Sequence, residues 1–223
     1  MNFSISKRQP LREEVYEILK KAILRGKIRS GQRLIEEELA SALGTSRTPI
    51  REAIHKLEKD ELVTRLSRGG FAVRQLTAED IEEVLGIRSV LESYACVLAT
   101  THITSEKIRL LEKTIEKSER CLAKGDIDGL IRYEIEFHDI LSKSAKSKKL
   151  HNMISNFLDY LSQYWVAIFG IRGMPTISIR DHTDMLEAMK GKNAAEFERL
   201  MKRHILRGKD IVIEQMRTGK LRL

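Results

Sequence analysis

Apolar residues recur at the spacing of one helix face almost without interruption from Thr77 to the end of the chain. No alternating pattern typical of a strand appears in this part. A stretch of about 145 residues buries enough apolar surface to fold by itself, so the sequence predicts a mainly α protein with an antiparallel all-helical bundle. We expect about six helices in the bundle, at about 78–100, 104–124, 127–145, 147–168, 177–191 and 194–217.

Two pairs of residues suited to helix capping mark helix starts in this bundle. Thr77 with Asp80, and Asn193 with Glu196, have the spacing of a capping box, in which each side chain bonds the other residue's backbone amide. A helix that begins after Thr77 places a domain boundary just before it. We therefore expect two domains, 1–76 and 77–223.

The amino-terminal domain shows helix signals around a short turn. A first helix is predicted from Leu11 to Arg25, before Gly26, and a second over IEEELASAL, which ends at Gly44. The residues GTS then separate this helix from a third, RTPIREAIHKLEKD. A helix, a three-residue turn and a helix form a helix-turn-helix, whose second helix enters the major groove of DNA.

The outward face of the third helix has the chemistry of a DNA-reading surface. It carries Arg47, Thr48 and Arg51. Arginine can donate two parallel hydrogen bonds to guanine, and threonine can reach a phosphate or a thymine methyl group. The alternative is that these arginines are merely solvated, or form ion pairs with Glu52 and Glu58.

A basic hairpin is predicted after the third helix. Two β-prone runs, LVTRL and FAVRQL, are separated by SRGG, whose tip can lie against the DNA backbone or enter the minor groove as a wing. Residues 1–76 contain 16 Lys and Arg against 10 Asp and Glu, which is +6 of the chain's net +8. This excess is typical of a polyanion-binding domain, although charge alone fits a solvated surface about equally well.

The run GKIRSGQRLIEEELASALGTSRTPIREAIHKLEKDELVTRLSRGGFAV resembles the winged-helix domain of GntR-family transcription regulators, and SRTPIREA is its most specific part. The resemblance implies that Arg47, Thr48 and Arg51 contact bases and phosphates. It also implies a minor-groove contact at the wing tip, by Gly70 or its neighbour Gly69. In a homodimer, two recognition helices about 34 Å apart would read a near-palindromic operator in double-stranded DNA.

Two positions depart from this family pattern. The residues DEL at 60–62 stand where the family usually has an acidic residue, glycine and leucine, which leaves the shape of that turn open. Glu37 stands where some members have an arginine, so one expected DNA contact is missing. We expect the change at 60–62 to leave base reading by the third helix unaffected.

Four residues of the helical domain have side chains that bind transition metals. Glu134 and His138 are four residues apart and share one helix face, while His182 and His204 lie in two later helices. One carboxylate and three imidazoles can form an oxygen and nitrogen shell for a metal ion. By itself this pattern is weak evidence, because six histidines scatter over the chain and an interior histidine more often bonds a backbone carbonyl.

A second family resemblance supports a metal site at these four residues. The runs IRSVLESYACVLA, EIEFHDIL and DHTDMLEAMKGKNAAEFERLMKRHI together resemble the FadR C-terminal ligand-binding domain, or FCD domain. In its metal-binding members an aspartate and three histidines hold the metal, which implies Glu134, His138, His182 and His204 as ligands of a divalent zinc, nickel or manganese ion. Glutamate is one methylene longer than the usual aspartate, which leaves the identity of the ion open.

Two further implications concern the rest of the domain. The remaining histidines do not match the metal pattern and are expected to be surface or packing residues: His55, His102 and His151. Six rather than seven helices would place the chain in the VanR-like branch of this family.

Arg88 is the predicted anchor for an effector. The family carries an arginine in the first bundle helix that points into the cavity, and an arginine can clamp a small carboxylate with two hydrogen bonds. The alternative is an ordinary surface ion pair with Glu92, four residues away. Aromatic residues nearby are expected to be core or cavity wall: Tyr160, Tyr164, Trp165 and Phe169.

These features predict a ligand-responsive, DNA-binding transcription regulator in the cytoplasm. The family resemblance implies repression relieved by a metabolite, although the family also contains activators. Cys96 and Cys121 lack CxxC spacing and are expected to be reduced core thiols, and no run reaches the length of a membrane helix. A regulator that senses the metal itself is an alternative. A metalloenzyme is a weaker one, because no second acid or base accompanies the predicted ligands.

Overall fold

The computed structural model describes residues 10–24 and 26–221, which divide into two compact units between Gln75 and Leu76. Each unit has its own apolar core. The predicted domain boundary lies one residue further along the chain. The predicted end of the first helix, Arg25, lies outside the described residues.

The amino-terminal unit combines helices with a small antiparallel sheet. Its described helices are α1 (Leu11–Leu24), α2 (Glu36–Ala42) and α3 (Arg47–Lys59), and its strands are β1 (Arg33–Leu34), β2 (Val63–Arg65) and β3 (Phe71–Val73). Strand β3 lies in the middle, with Phe71 opposite both Leu34 and Arg65. The sequence did not predict β1, because two residues are too short to show an alternating pattern.

Helix α3 is oriented by its apolar stripe. Ile50, Ile54 and Leu57 follow at helical spacing and are fully buried in the core of this unit, together with Leu19 and Ile23 of α1. The opposite face, which contains the predicted DNA-reading residues, is therefore in solvent.

The turn between α3 and β2 contains a residue with a left-handed backbone conformation that is not a glycine. Glu61 has a φ of +58°, the region that glycine occupies most easily. The amide of Glu61 donates to the carbonyl of Glu58 at 3.1 Å, and that of Leu62 to the carbonyl of Leu57 at 3.0 Å. The substitution of the family's glycine therefore does not prevent a left-handed turn here.

The carboxy-terminal unit is an all-helical bundle with one more helix than predicted. Its described helices are α4 (Ala78–His102), α5 (Ser105–Lys124), α6 (Ile127–Ser144), α7 (Lys148–Tyr160), α8 (Ser162–Gly170), α9 (Met174–Lys190) and α10 (Ala194–Arg217). The segment predicted at 147–168 is two helices, which break at Leu161, where ψ is +16°. Backbone hydrogen bonds continue on both sides of Leu161, and no glycine or proline marks the break, so apolar spacing could not reveal it. The VanR-like assignment depended on a count of six and loses that basis.

Side-chain caps mark the starts of α4 and α10. Thr77 and Asp80 form the predicted capping box, with reciprocal bonds of 3.1 and 2.9 Å. Asn193 accepts a bond from the amide of Glu196, but the carboxylate of Glu196 binds Arg199, at 2.6 and 2.7 Å. Helix α9 begins at Met174, three residues before the predicted start.

Helix α4 is the only described helix long and apolar enough, by length and composition, to cross a membrane. The core helix of a bundle passes the same test. Arg88 and Glu92 are buried on this helix, and its apolar residues Ile81, Leu85 and Cys96 lie in the core of the unit. Packing within the bundle thus accounts for the buried apolar residues of α4.

Candidate functional site

The four predicted metal ligands come together inside the bundle. Glu134 and His138 project from α6, His182 from α9 and His204 from α10, and one ligand atom of each lies within 4.8 Å of the others. Glu134 Oε1 is 3.2 Å from His138 Nε2 and 3.1 Å from His204 Nε2, while Glu134 Oε2 is 3.5 Å from His182 Nε2. Three imidazole nitrogens from three helices therefore converge on one carboxylate.

The outer nitrogens of two of these rings are held by other carboxylates. His138 Nδ1 bonds Glu92, and His204 Nδ1 bonds Asp181 at 3.2 Å. A carboxylate only accepts, and both ring nitrogens of His138 and of His204 face one: Nδ1 faces Glu92 or Asp181, and Nε2 faces Glu134. A ring with one proton can donate to only one of its two carboxylates, so the other contact requires a second proton or a metal ion between the two atoms. Carboxylates bonded to the outer nitrogen are the usual second layer of a metal site.

His182 completes the set in a different way. Its ring stacks on Phe137, with centroids 3.8 Å apart, and its Nε2 is buried without a hydrogen-bond partner among the described residues. Burial lowers the pKa of His182 to about 3, so the ring is neutral at physiological pH. A neutral imidazole with a buried, unpartnered nitrogen has the chemistry of a metal ligand.

Hydrogen bonds and neighbouring charges outweigh burial in determining the pKa values of Glu134 and His204. Burial raises the pKa of Glu134, but its hydrogen bonds to His138 and His204, together with the charge on His204, outweigh it and hold that pKa well below its usual range. Burial lowers the pKa of His204, but its bonds to Asp181 and Glu134 raise it to about 9. Without a metal, a proton on His204 therefore supplies the positive charge that Glu134 requires.

Sequence reasoning missed two residues that orient the cluster. Ser178 donates to Glu134 Oε2 at 2.5 Å, which leaves Oε1 to face two histidines. Asp181 binds His204 and also accepts from Arg207 Nη1 at 2.8 Å. Both lie within one turn of His182 on α9, and that proximity is the signal that could have indicated them.

Arg88 lies in the same buried region. It forms the i, i+4 ion pair with Glu92, but the two side chains are only 2% and 3% exposed, so this is not a surface pair. Its guanidinium carbon is 4.8 Å from the centre of the Trp165 ring. Arg88 Nη2 and Trp165 Nε1 are both buried without a hydrogen-bond partner among the described residues. Two unused donors are therefore available to an anion.

A cavity joins Arg88 to the cluster. Its volume is about 30 Å³, far below the roughly 300–1,000 Å³ of ordinary small-molecule pockets, so a multi-atom ligand would require side chains to move. Three of the predicted aromatic residues line it: Tyr164, Trp165 and Phe169. Tyr160 is partly buried against the core and is not part of the lining. Glu134, His204 and Arg207 also face this cavity.

The predicted DNA-reading residues lie on one side of the amino-terminal unit. Arg47, Thr48 and Arg51 are exposed at the start of α3. Neither arginine forms an ion pair with Glu52 or Glu58, which was the alternative to a DNA-reading role. Both instead approach Glu36 of α2, with Arg51 Nη2 at 2.8 Å and Arg47 Nη2 at 3.5 Å from its Oε2.

The wing tip borders the same surface. Gly69 and Gly70 both have a φ of +84°, as a tight hairpin requires, and Arg33 of β1 donates to the carbonyl of Gly69 at 3.2 Å. An open groove of about 310 Å³ is lined by Arg33, Glu36, Arg47, Arg51 and Gly70, among others. The structure therefore brings three of the four predicted DNA contacts to one groove, with Thr48 exposed nearby.

The remaining histidines have local partners. His55 bonds Glu58 at 3.2 Å and meets Phe71 edge-on, and His151 bonds Ser142 at 2.9 Å. His102 bonds the carbonyl of Leu98, at 2.9 Å. All three are outside the metal-ligand cluster.

Each of the two units matches a known protein family. The family model described as bacterial regulatory proteins, gntR family, matches residues 11–73, and the FCD domain model matches residues 83–207. An uncharacterized HTH-type transcriptional regulator of Bacillus subtilis (strain 168), YdhC, is 34% identical over 92% of this chain and 90% of that protein. The HTH-type transcriptional repressor RspR of Escherichia coli (strain K12) is 24% identical over 88% of this chain and 86% of that protein.

A solved structure supports the fold. The E. coli protein McbR/YncC superposes with a TM-score of 0.79 at 23% identity, over 94% of this chain and 100% of that one. At this identity the likeness shows a shared fold and nothing finer.

Proposed function

This chain belongs to the gntR family of bacterial DNA-binding transcription regulators with an FCD effector domain, and from that premise we propose that it is a metal-containing, carboxylate-responsive repressor. The family and its relatives indicate a regulator and not an enzyme.

One observation carries the metal proposal: three imidazole Nε2 atoms converge on Glu134 while carboxylates hold the outer nitrogens of two of the rings. The donor set fits a divalent zinc, nickel or manganese ion, which Glu134, His138, His182 and His204 would hold. When bound, such an ion would supply positive charge to the cavity wall.

Metal content of the purified protein, measured by elemental mass spectrometry, tests this proposal. We expect close to one ion per chain in the wild type and a loss of most of it in His138→Ala and His204→Ala. His102→Ala is the control, since that exposed ring bonds its own helix. No bound metal after loading with zinc, nickel or manganese would contradict the site.

The effector proposed is a small carboxylate. Arg88 Nη2 and Trp165 Nε1 are unused donors of residues that line the cavity, and a carboxylate would accept from both. Because the cavity is small, we expect the acid to have few heavy atoms or to displace the side chains around it. It would act by binding one arrangement of the regulator better than another.

A metal-responsive regulator is the second candidate, because the cluster itself could be the sensor. DNA affinity with and without a chelator, at constant organic acid, separates the two. A loss of DNA response on chelation with no effect of added acids would favour metal sensing, whereas an effect of acids that requires Arg88 would favour the first proposal.

Dimerisation is proposed through helix α4. Ile87, Val90 and Tyr94 form a stripe at helical spacing that is 43%, 63% and 56% exposed. Apolar side chains in such a stripe are suited to burial against the same stripe of a second copy. A homodimer would read a near-palindromic operator with two α3 helices. Repression is proposed from the relative named a transcriptional repressor, and the cytoplasm follows from the bacterial DNA partner.

A further inference from the structure

The two arginines of the DNA-reading face share one carboxylate. Glu36, the first residue of α2, accepts from Arg51 Nε at 3.0 Å and from Arg51 Nη2 at 2.8 Å, so this pair is bidentate. Arg47 Nη2 lies 3.5 Å from the same carboxylate. The arginines are more than half exposed, so these ion pairs add little to stability.

The geometry of the pair leaves Arg51 ready to read a base. A planar guanidinium has two edges that can form paired hydrogen bonds, and Glu36 occupies the one made by Nε and Nη2. The other edge, made by Nη1 and the second hydrogen of Nη2, has no partner within the described part of the chain. Guanine needs one such edge for its O6 and N7 acceptors.

The negative charge of Glu36 also favours base contacts over phosphate contacts. A free arginine on a basic surface binds any phosphate, which adds affinity without sequence information. A carboxylate beside Arg47 and Arg51 repels phosphates and keeps Arg51 from swinging toward the DNA backbone. It therefore disfavours contacts that every DNA sequence offers equally.

We propose that Glu36 is a positioning residue for sequence recognition: it holds Arg51 side-on so that the outer guanidinium edge reads guanine, and it opposes phosphate contacts by the same arginine. Glu36 would then raise the ratio of specific to nonspecific affinity while lowering nonspecific affinity itself.

Glu37 offers a matched control. It is the next residue of α2, it lines the same groove, and it forms no ion pair with either arginine among the described residues. Glu36→Gln and Glu37→Gln therefore remove the same charge from the same helix end and the same groove. Only the first removes the bidentate contact with Arg51.

The experiment uses the full-length protein and a duplex enriched from a random-sequence library by the wild type. Affinity is measured for that duplex, for versions with single guanines replaced, and for a scrambled duplex. Both substitutions should raise affinity for the scrambled duplex. Only Glu36→Gln should lower discrimination at one guanine position, by about fivefold or more, the lower range for one bidentate arginine contact. Arg51→Ala should lower discrimination at that same position.

Three results would overturn the proposal. Equal discrimination in Glu36→Gln and Glu37→Gln would show that Glu36 acts by charge alone. Unchanged discrimination in Arg51→Ala would show that Arg51 reads no base, which would also contradict the predicted recognition face. A lower melting temperature of Glu36→Gln with discrimination unchanged would show a merely structural role for Glu36.

Discussion

Glu61 holds a backbone conformation that glycine would adopt at lower free energy. Its φ of +58° places it in the left-handed region, which costs a residue with a β-carbon about 1 kcal/mol or more. The carboxylate of Glu61 partly offsets this by an ion pair with Arg74 at 2.7 Å. The backbone and the side chain of one residue therefore act on stability in opposite directions.

Comparing Glu61→Gly with Glu61→Ala separates the two effects. Both variants lose the ion pair, but only glycine relieves the left-handed backbone. We expect Glu61→Gly to be more stable than Glu61→Ala by about 1 kcal/mol, measured as the free energy of unfolding in urea. Equal stability of the two variants would show that the turn changes shape when the side chain is removed.

His204 couples the stability of the metal-free protein to pH. Its folded pKa of about 9 lies above the value of about 6.5 expected for an unfolded histidine. The stability that it contributes is therefore fully present below pH 6.5 and is lost as the pH rises through about 9. Chelator-treated wild type should lose unfolding free energy over this range more steeply than chelator-treated His204→Gln. Parallel pH profiles for the two proteins would contradict the assignment.

At the scale of the helix, two interior glycines have opposite surroundings. A β-carbon on Gly208 of α10 would overlap the hydroxyl of Tyr164, whereas a β-carbon on Gly86 of α4 would meet nothing within 4 Å. The first glycine allows a close approach of α8 to α10, and the second has no packing role within the chain's described residues. They form a natural pair for substitution.

We expect Gly208→Ala to destabilise the protein by about 1–3 kcal/mol, because Tyr164 must leave its place in the cavity wall. Gly86→Ala should be neutral or stabilising by up to about 1 kcal/mol, the usual gain inside a helix. Urea denaturation measures both. A similar effect of the two substitutions would show that Tyr164 moves aside freely.

The metal site and the helix boundaries show what can and cannot be predicted from the sequence. His138, His182 and His204 were predicted as one site because a helical pattern and a family spacing are readable along the chain. The role of Asp181 was not, because its contact with His204 joins α9 to α10 and has no signature in either helix. The sequence does not indicate Glu36 for the same reason, since its contacts with Arg47 and Arg51 join α2 to α3. The break at Leu161 was missed because helical hydrogen bonds continue through it.

At the scale of the whole molecule, the exposed stripe of α4 predicts the state of assembly. Val90 is 63% exposed at its centre, and Val166 of α8 is 53% exposed elsewhere on the bundle. If α4 pairs with a second copy, Val90→Glu would bury a charge without a partner at that interface. The same substitution at Val166 would leave the charge in water.

Light scattering after size-exclusion chromatography should therefore find a dimer for the wild type and Val166→Glu, and a monomer or a much weaker dimer for Val90→Glu. The monomer should also lose most of its affinity for a near-palindromic duplex, because only one recognition helix would remain on each molecule. A stable dimer of Val90→Glu would show that the dimer interface lies on another face of the bundle.

Trp165 is the chain's single tryptophan, and it lies in the cavity wall with the guanidinium of Arg88 over its ring. All indole fluorescence therefore originates at one point beside the proposed effector. An anion that draws Arg88 or the indole N–H toward itself would change the emission of this one fluorophore. The protein thus contains its own optical reporter of cavity occupancy, so candidate acids can be screened without a label and before any operator is known.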